Sequence, residues 1–141
     1  MAITIELKGR MGCKGVAEGE ALVHRKSFGF SLADESGVIS LPGHELEGKS
    51  IEGKIMVLAN GGGSSTEEWS LYRKQKAGEP VPKAVIYSSS FPYVCSTIGN
   101  IITDIPMVYG FGENVFEIIR SGDHVKVDAD KGVIRVMKEE A

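Results

Sequence analysis

Cysteine is scarce in this sequence, and its scarcity limits the chemistry that the chain can hold alone. Only two of the 141 residues are cysteines, Cys13 and Cys95, and they form no Cys-x-x-Cys motif. Such a pair argues against a disulfide framework and fits the reducing cytoplasm. Two thiols are also too few for a self-contained iron–sulfur site of the ordinary four-thiolate kind. No His-x-x-x-His pattern or carboxylate cluster suggests another metal site, so we expect none in this chain.

The sequence also lacks long apolar runs and an excess of positive charge. Its net charge is −3, so nothing directs it toward nucleic acid or an anionic membrane. No apolar run approaches the roughly 20 residues needed to span a bilayer, and the N-terminus shows no secretory signal. With 42% hydrophobic and 25% charged residues, the composition is that of a globular protein. We therefore expect one cytoplasmic domain over residues 1–141.

Strand-like patterns dominate the two ends of the chain. Alternating apolar and polar residues predict a strand at residues 3–7. A glycine-punctuated loop over residues 8–15 follows, and residues 16–23 contain a second short strand at residues 20–23. A hairpin with strands at residues 123–127 and 133–137 is predicted near the other end. These segments indicate a mostly β layer.

The middle of the chain alternates strands with helices. Continuous apolar runs predict buried strands at residues 55–58, 84–87 and 105–109. Helices are predicted between them, at residues 66–76 and 92–102. This order predicts an α/β fold with a parallel sheet and right-handed crossovers.

The second predicted helix carries an apolar stripe. Four large apolar residues recur at the spacing of one helix face, namely Val94, Ile98, Ile101 and Ile102. We expect this face to pack into the core. Cys95 is expected to be a core residue as well, and Cys13 a bystander in its loop.

A glycine turn joins the first buried strand to the first predicted helix. Three glycines at residues 61–63 are followed by Ser64, Ser65 and Thr66. Glycine lets a ligand approach the backbone closely, and a helix start offers N–H groups and the positive end of a dipole to an anion. The alternative is a structural turn in which Ser64 or Ser65 caps the helix, in a capping box with the glutamate three residues later.

Ligands of parallel sheets bind at the carboxyl ends of the strands, which places residues 61–66, 88–90 and 109–113 on one rim. Neither the nucleotide-binding Gly-x-x-x-x-Gly-Lys-Ser/Thr pattern nor the hydrolase Gly-x-Ser-x-Gly pattern is present. The three histidines fall on other segments and are interpreted as surface or packing residues. The rim thus has a turn that could bind an anion, but it has too few other catalytic side chains for a complete active site. This combination indicates either a ligand-binding module or one half of a shared active site.

The glycine turn resembles the Gly-x-Gly-Ser-Ser turn in the swivelling domain of the aconitase superfamily. Further segments resemble, in the same order, the small subunit of aconitase X enzymes: residues 20–23, 27–30, 48–55, 82–86, 105–108 and 122–128. The resemblance covers nearly the whole chain. It implies a swivelling β/β/α domain, with a small parallel sheet flanked by helices and a second β layer.

A free-standing chain of this size is most similar to the archaeal type of aconitase X. That resemblance implies the small subunit of a hydro-lyase that dehydrates (R)-5-phosphomevalonate to trans-anhydromevalonate 5-phosphate, in a modified mevalonate route to isoprenoids. The implied partner is a large subunit, in a heterodimer or a larger assembly, which carries a 4Fe–4S iron–sulfur cluster on its own cysteines. By this reading the chain alone binds no cofactor and is inactive.

The same resemblance implies roles for the residues of the turn. The serine base of the family corresponds to Ser64, which would accept the proton alpha to the substrate carboxylate. Gly62, Gly63, Ser65 and Thr66 would bind the small anionic substrate. Gly62 stands where the family often has Arg or Lys, so the turn itself supplies no cation.

Two other functions remain open at this point. The substrate could be another hydroxy acid, such as a hydroxyproline, or the chain could be a non-catalytic module that binds an anion or a partner through the same turn. The small subunit of the isopropylmalate isomerase type fits less well. Its turn usually continues Ser-Ser-Arg-Glu-His, and Thr66 replaces that arginine.

Overall fold

A computed structural model describes residues 2–64 and 66–139, with the backbone alone for residues 66–68. Within these residues the strands are β1 (Ala2–Lys8), β2 (Arg10–Cys13), β3 (Val16–Phe28), β4 (Ile55–Gly61), β5 (Ala84–Tyr87), β6 (Met107–Tyr109), β7 (His124–Asp128) and β8 (Val133–Glu139). The α-helices are α1 (Thr66–Lys76), α2 (Val94–Thr103) and α3 (Val115–Ile118). The bounds of α1 and β5 agree with the sequence prediction. No helix in this part of the chain is long and apolar enough to cross a membrane.

The predicted parallel sheet is present. Strands β3, β4, β5 and β6 are neighbours in that order, and each adjacent pair is parallel. Helix α1 connects β4 to β5, and α2 connects β5 to β6. This arrangement confirms the two successive βαβ units and puts the ends of β4, β5 and β6 on one side of the molecule.

The antiparallel strands extend this sheet at both edges. The full order is β1-β8-β7-β3-β4-β5-β6-β2, and β7 pairs with β8 as the predicted hairpin. Strand β3 is 13 residues long. Its first part, Val16–Glu20, pairs antiparallel with β7, whereas its second part, Ala21–Phe28, pairs parallel with β4. One strand therefore belongs to both parts of the sheet.

Two apolar cores use alternate residues of the parallel strands. Met56 of β4 packs in one cluster with Leu71 of α1. Its neighbour Ile55 packs in the other cluster with Val125 and Val136 of the hairpin. Because successive strand residues point to opposite faces, α1 covers one face, and the hairpin layer together with α3 covers the other. The structure is thus a mixed α/β fold with a second β layer, which confirms the predicted fold class.

The predicted loop over residues 8–15 is wrong in part, because Arg10–Cys13 form β2 and pair antiparallel with β6. Glycine obscured this strand in the sequence. A Cβ at Gly12 would lie 2.4 Å from the Cε atom of Met107, so a larger residue there would displace the end of that flexible side chain. Strand β3 also continues past its predicted end at residue 23, as far as Phe28.

The predicted core face of α2 is wrong. Its four large apolar residues point outward, with exposed fractions of 71% for Val94, 36% for Ile98, 52% for Ile101 and 44% for Ile102. The buried face consists instead of small and polar residues, namely Ser96, Gly99, Asn100 and Thr103. Both sets have helical spacing, so the period alone could not show which one faces inward.

Hydrogen bonds satisfy much of the buried polar face of α2, although the side-chain oxygen of Asn100 has no hydrogen-bond partner among the described residues. The side-chain amide of Asn100 donates to the carbonyl oxygen of Ile105 at 3.0 Å. The side-chain amide of Gln75, on α1, donates to the carbonyl oxygen of Thr103 at 2.9 Å. Buried polar groups that are hydrogen-bonded avoid the cost of desolvation, and small side chains let α2 approach α1 closely.

Burial of the two cysteines differs from the expectation that Cys95 lies in the core and Cys13 in a loop. Cys13 is buried, with its thiol 3.5 Å from the carbonyl oxygen of Asn100, and Cys95 on α2 is half-buried. Burial raises the pKa of the Cys13 thiol, and the negative charge of Asp104 raises it further. Cys13 is therefore a packed thiol of β2 rather than a loop residue, and its raised pKa disfavours the reactive thiolate form.

Candidate functional site

Three loops meet at the carboxyl ends of the parallel strands, as the sequence predicts. The N–H group of Ser89 donates to the carbonyl oxygen of Ala59 at 3.1 Å. The N–H groups of Gly110 and Gly112 donate to the carbonyl oxygens of Ser89 and Ser88 at 2.9 Å and 2.8 Å. These bonds join the ends of β4, β5 and β6 into one continuous rim.

Ser64 lies on this rim, between the end of β4 and the start of α1. Gly62 is half-buried, whereas Gly63 and Ser64 are exposed. Helix α1 begins at Thr66, and the first N–H groups of a helix have no partner within it. The structure thus places a serine hydroxyl beside a helix start. Ser65 and the predicted capping box lie outside the described residues and side chains.

Close packing below the turn requires glycine at its first position. A Cβ at Gly61 would lie 2.0 Å from Ser96 Oγ and 2.7 Å from the hydroxyl oxygen of Tyr87. A Cβ at Gly63 would instead meet the ring of Tyr93 at 3.7 Å, an ordinary contact. Packing therefore explains glycine at position 61 but not at position 63.

Asn60 anchors the turn to the loop before α2. Its side-chain amide nitrogen donates to the carbonyl oxygen of Phe91 at 3.0 Å. Its side-chain oxygen accepts from the N–H groups of Gly61 at 2.9 Å and Tyr93 at 3.0 Å. One side chain therefore fixes two backbone segments of the rim, a role that the sequence analysis did not identify.

Helix α2 supports the turn from below. Ser96 Oγ donates to the carbonyl oxygen of Gly62 at 2.8 Å, and the ring of Tyr93 lies against Gly63. Sequence reasoning missed both residues because it assigned the other side of α2 to the core. The small and polar residues that recur at helical spacing, Ser96 among them, were the sequence pattern that could have identified the buried face.

A cation lies on the same rim. Arg10 borders a cleft of about 270 Å³ together with Ser90, Phe91, Tyr109 and Gly110. Because β2 is antiparallel to β6, with Arg10 opposite Tyr109, the start of β2 lies at the end of β6. Among the ion pairs of the described residues, none includes Arg10. This arginine was missed because residues 8–15 were predicted to be a loop.

The three histidines lie against partners in other parts of the fold. His24 is buried, with Nδ1 3.0 Å from Glu45 Oε1 and its ring centroid 4.8 Å from that of His44. His124 Nε2 lies 2.7 Å from Glu18 Oε2. Hydrogen bonds from these histidines lower the pKa values of the Glu45 and Glu18 carboxyl groups. These contacts agree with packing and surface roles.

Metal ligands are not grouped in the part of the chain that the structure describes. No set of three or more His, Cys, Asp or Glu residues there could hold a metal ion. Cys13 and Cys95 are both free thiols. The rim can therefore offer a hydroxyl group, backbone N–H groups and a guanidinium group, which suit an anionic substrate and proton transfer.

Comparison with known families gives a match over most of the chain. The model of the aconitase X swivel domain matches residues 6–136. The phosphomevalonate dehydratase small subunits of Methanosarcina mazei and Methanosarcina acetivorans are 35% and 36% identical to this chain. The alignments cover 97% and 96% of this chain and 94% of each relative.

A solved structure shows the same fold. The crystal structure of Thermococcus kodakaraensis aconitase X in its holo-form superposes with a TM-score of 0.84 and is 35% identical in sequence. The superposition covers 95% of this chain and 99% of that chain. The similarity therefore extends over the sheet and the helices that build the rim.

Proposed function

The chain belongs to the aconitase X swivel-domain family, and on that premise we propose that it is the small subunit of a phosphomevalonate dehydratase. The assembled enzyme removes water from (R)-5-phosphomevalonate and releases trans-anhydromevalonate 5-phosphate, a step of a modified mevalonate route. The observation that carries the proposal is the exposed Ser64 at the start of α1, on the same rim as Arg10. Because both cysteines are free thiols, we place the enzyme in the cytoplasm.

Ser64 is the proposed proton acceptor. It takes the proton from the carbon alpha to the substrate carboxylate. A serine hydroxyl is a weak base in water, so its alkoxide form must be stabilised. The N–H groups at the start of α1 supply positive partial charge at that position. Closure of the partner over the rim would exclude water and strengthen this effect.

The substrate carboxylate is proposed to lie against the glycine turn. Gly62 and Gly63 let it approach the backbone closely, because neither has a Cβ. The N–H group of Thr66, where α1 begins, can donate to an anion, and we propose the same role for Ser65, which precedes it in the sequence. In this arrangement the carboxylate is held next to the carbon that loses its proton.

The phosphate is proposed to lie at Arg10. Neighbouring strands of a sheet are about 4.8 Å apart, so the three steps from β4 to β2 span about 14 Å. The reach of the arginine side chain shortens this distance. An extended substrate is proposed to bridge Ser64 and Arg10, with its carboxylate at one end and its phosphate at the other. A guanidinium group binds phosphate with two parallel hydrogen bonds.

The departing hydroxyl group requires a contribution from outside this chain. A 4Fe–4S cluster on the large subunit would supply a Lewis acid for that step. Cys13 is buried below the rim and Cys95 lies half-buried on α2, so these thiols do not form a ligand set for the cluster. We therefore propose a heterodimer, or a larger assembly of the same pair, with the active site at the junction of the two subunits.

Reconstitution of the pair tests this function. The wild-type and Ser64→Ala chains are each combined with the large subunit, and the product is identified by mass spectrometry. We expect dehydration of (R)-5-phosphomevalonate by the wild-type pair only, with a loss of about 10²–10⁴-fold in kcat for Ser64→Ala. Full activity of Ser64→Ala would refute the role of Ser64. Turnover of a hydroxyproline in place of phosphomevalonate would refute the substrate.

A further inference from the structure

Helix α2 presents an apolar surface to solvent. This surface, the α2 outer face, consists of six residues with exposed fractions between 36% and 85%: Met11, Phe91, Val94, Ile98, Ile101 and Ile102. Monomeric proteins rarely expose contiguous apolar patches larger than a few hundred Å². A patch of this composition marks a surface that another molecule covers.

The α2 outer face contains a groove. Its volume is about 480 Å³, and its lining includes Met11, Pro92, Val94, Ile98, Ile101 and Tyr109. The lining residues carry no charged side chain. A groove of this kind accepts a protruding apolar side chain, which is a typical anchor of protein–protein interfaces.

The rotation of α2 about its axis is fixed, so the apolar stripe cannot turn into the core. The side chains of Ser96 and Asn100 donate to the carbonyl oxygens of Gly62 and Ile105. Turning the helix would break these bonds, leave buried polar groups unpaired, and force four large side chains into the space that the small residues now fill. The exposure of the stripe is therefore a property of the fold.

We propose that the α2 outer face docks the large subunit. This inference rests on the proposed function and identifies the surface that the partner covers. The face is continuous with the rim through Phe91. The carbonyl oxygen of Phe91 accepts a hydrogen bond from the side chain of Asn60, and Phe91 borders the same cleft as Arg10. A partner that brings a cluster to Ser64 must lie over this part of the rim, and so it also reaches the start of α2.

A second copy of this chain is the competing occupant. It would bury the same apolar residues but would complete nothing at Ser64. Cys13 is buried in each copy, so two copies offer only their Cys95 thiols, whereas four thiolates hold an ordinary cluster. The large subunit would both cover the apolar residues and bring a cluster to Ser64. The continuity between the apolar face and the rim therefore favours the large subunit.

Binding measurements with single substitutions test the docking surface. Ile101→Asp places a charge in the α2 outer face. The matched control is Ile3→Asp, because Ile3 is 42% exposed and lies on β1, at the opposite end of the sheet. Circular dichroism checks the folding of both variants, and calorimetric titration with the large subunit gives the affinity. We expect Ile101→Asp to weaken binding at least about 30-fold and Ile3→Asp to change it less than about threefold.

The outcomes separate the docking surface from the proposed function. Equal binding by Ile101→Asp and wild type, in a pair that dehydrates phosphomevalonate, overturns the docking surface and leaves the function intact. Binding that depends on Ile101, in a pair inactive toward phosphomevalonate, supports the surface and overturns the substrate. A stable dimer of the isolated chain that Ile101→Asp dissociates overturns the choice of partner.

Discussion

Ser96 on α2 donates a hydrogen bond to the carbonyl oxygen of Gly62, with the two oxygens 2.8 Å apart. Ser96 is buried, so water competes little for this bond. A turn that contains three glycines loses much backbone entropy when it becomes ordered. The bond fixes the backbone just before Ser64, and Ser96 therefore acts as a positioning residue for the proposed base.

Replacement of Ser96 should disturb the turn more than the fold. We expect Ser96→Ala to lower kcat of the assembled enzyme about tenfold with little change in KM, and to reduce the free energy of unfolding by about 1 kcal/mol. Ser96→Thr retains a hydroxyl group and should restore part of kcat. Ser70→Ala, at a buried serine of α1, is the control. An equal loss of kcat in Ser70→Ala would show that the effect is general destabilisation.

Substitution of Gly61 should destabilise the chain through a clash. Because its Cβ would lie 2.0 Å from Ser96 Oγ, we expect Gly61→Ala to cost about 1–3 kcal/mol in urea-unfolding experiments. Gly63→Ala, whose Cβ would make only ordinary contacts, should cost clearly less. The double variant Gly61→Ala with Ser96→Gly should recover part of the loss, because the two positions are in contact. Purely additive losses would contradict the clash.

Arg10 should affect substrate binding at the phosphate end. We expect Arg10→Gln to raise KM for phosphomevalonate about 10–100-fold, because it removes a charge-assisted hydrogen bond. The effect should be much smaller when mevalonate without phosphate is the substrate. Lys8→Gln removes an exposed cation of β1 and serves as the control. Steady-state kinetics of the assembled enzyme provide the measurement, and equal KM values for Arg10→Gln and Lys8→Gln would contradict the assignment.

The two thiols should differ in reactivity. Burial, followed by the charge of Asp104, raises the pKa of Cys13, so less thiolate is present at neutral pH than for an ordinary cysteine. In the isolated native chain, iodoacetamide should label Cys95 first, and labelling of Cys13 should increase only at higher pH. Asp104→Asn should lower the pKa of Cys13. Mass spectrometry of the labelled peptides follows both sites, and faster labelling of Cys13 would contradict the packing described above.

Local patterns were sufficient for the elements that surround the turn. Strand β5 and helix α1 have the predicted bounds, because an unbroken apolar run and a helix with basic residues in its last turn are strong local signals. The parallel order of β4, β5 and β6 followed from alternating strands and helices. The rim around Ser64 could therefore be placed from the sequence.

Which side chains lie on or support the rim depends on contacts between segments that are distant in sequence. No local sequence pattern indicates such contacts. Arg10 lies at the rim only because β2 pairs with β6, and a strand containing glycine was not recognised. Asn60 and Ser96 bond to segments that are more than 30 residues away in sequence. The outward face of α2 was assigned to the core because an apolar stripe has the same period whether a core or a partner covers it.

Strand β3 has a mechanical consequence. It continues from Val16 to Phe28 and pairs first with the hairpin layer and then with β4, which leads to Ser64. Within the described chain, the two layers are thus joined by a continuous strand rather than by a flexible hinge. This continuity disfavours bending between the layers, so we expect the subunit to move as one body. Substrate entry and product release would then require movement of the whole subunit against the proposed partner.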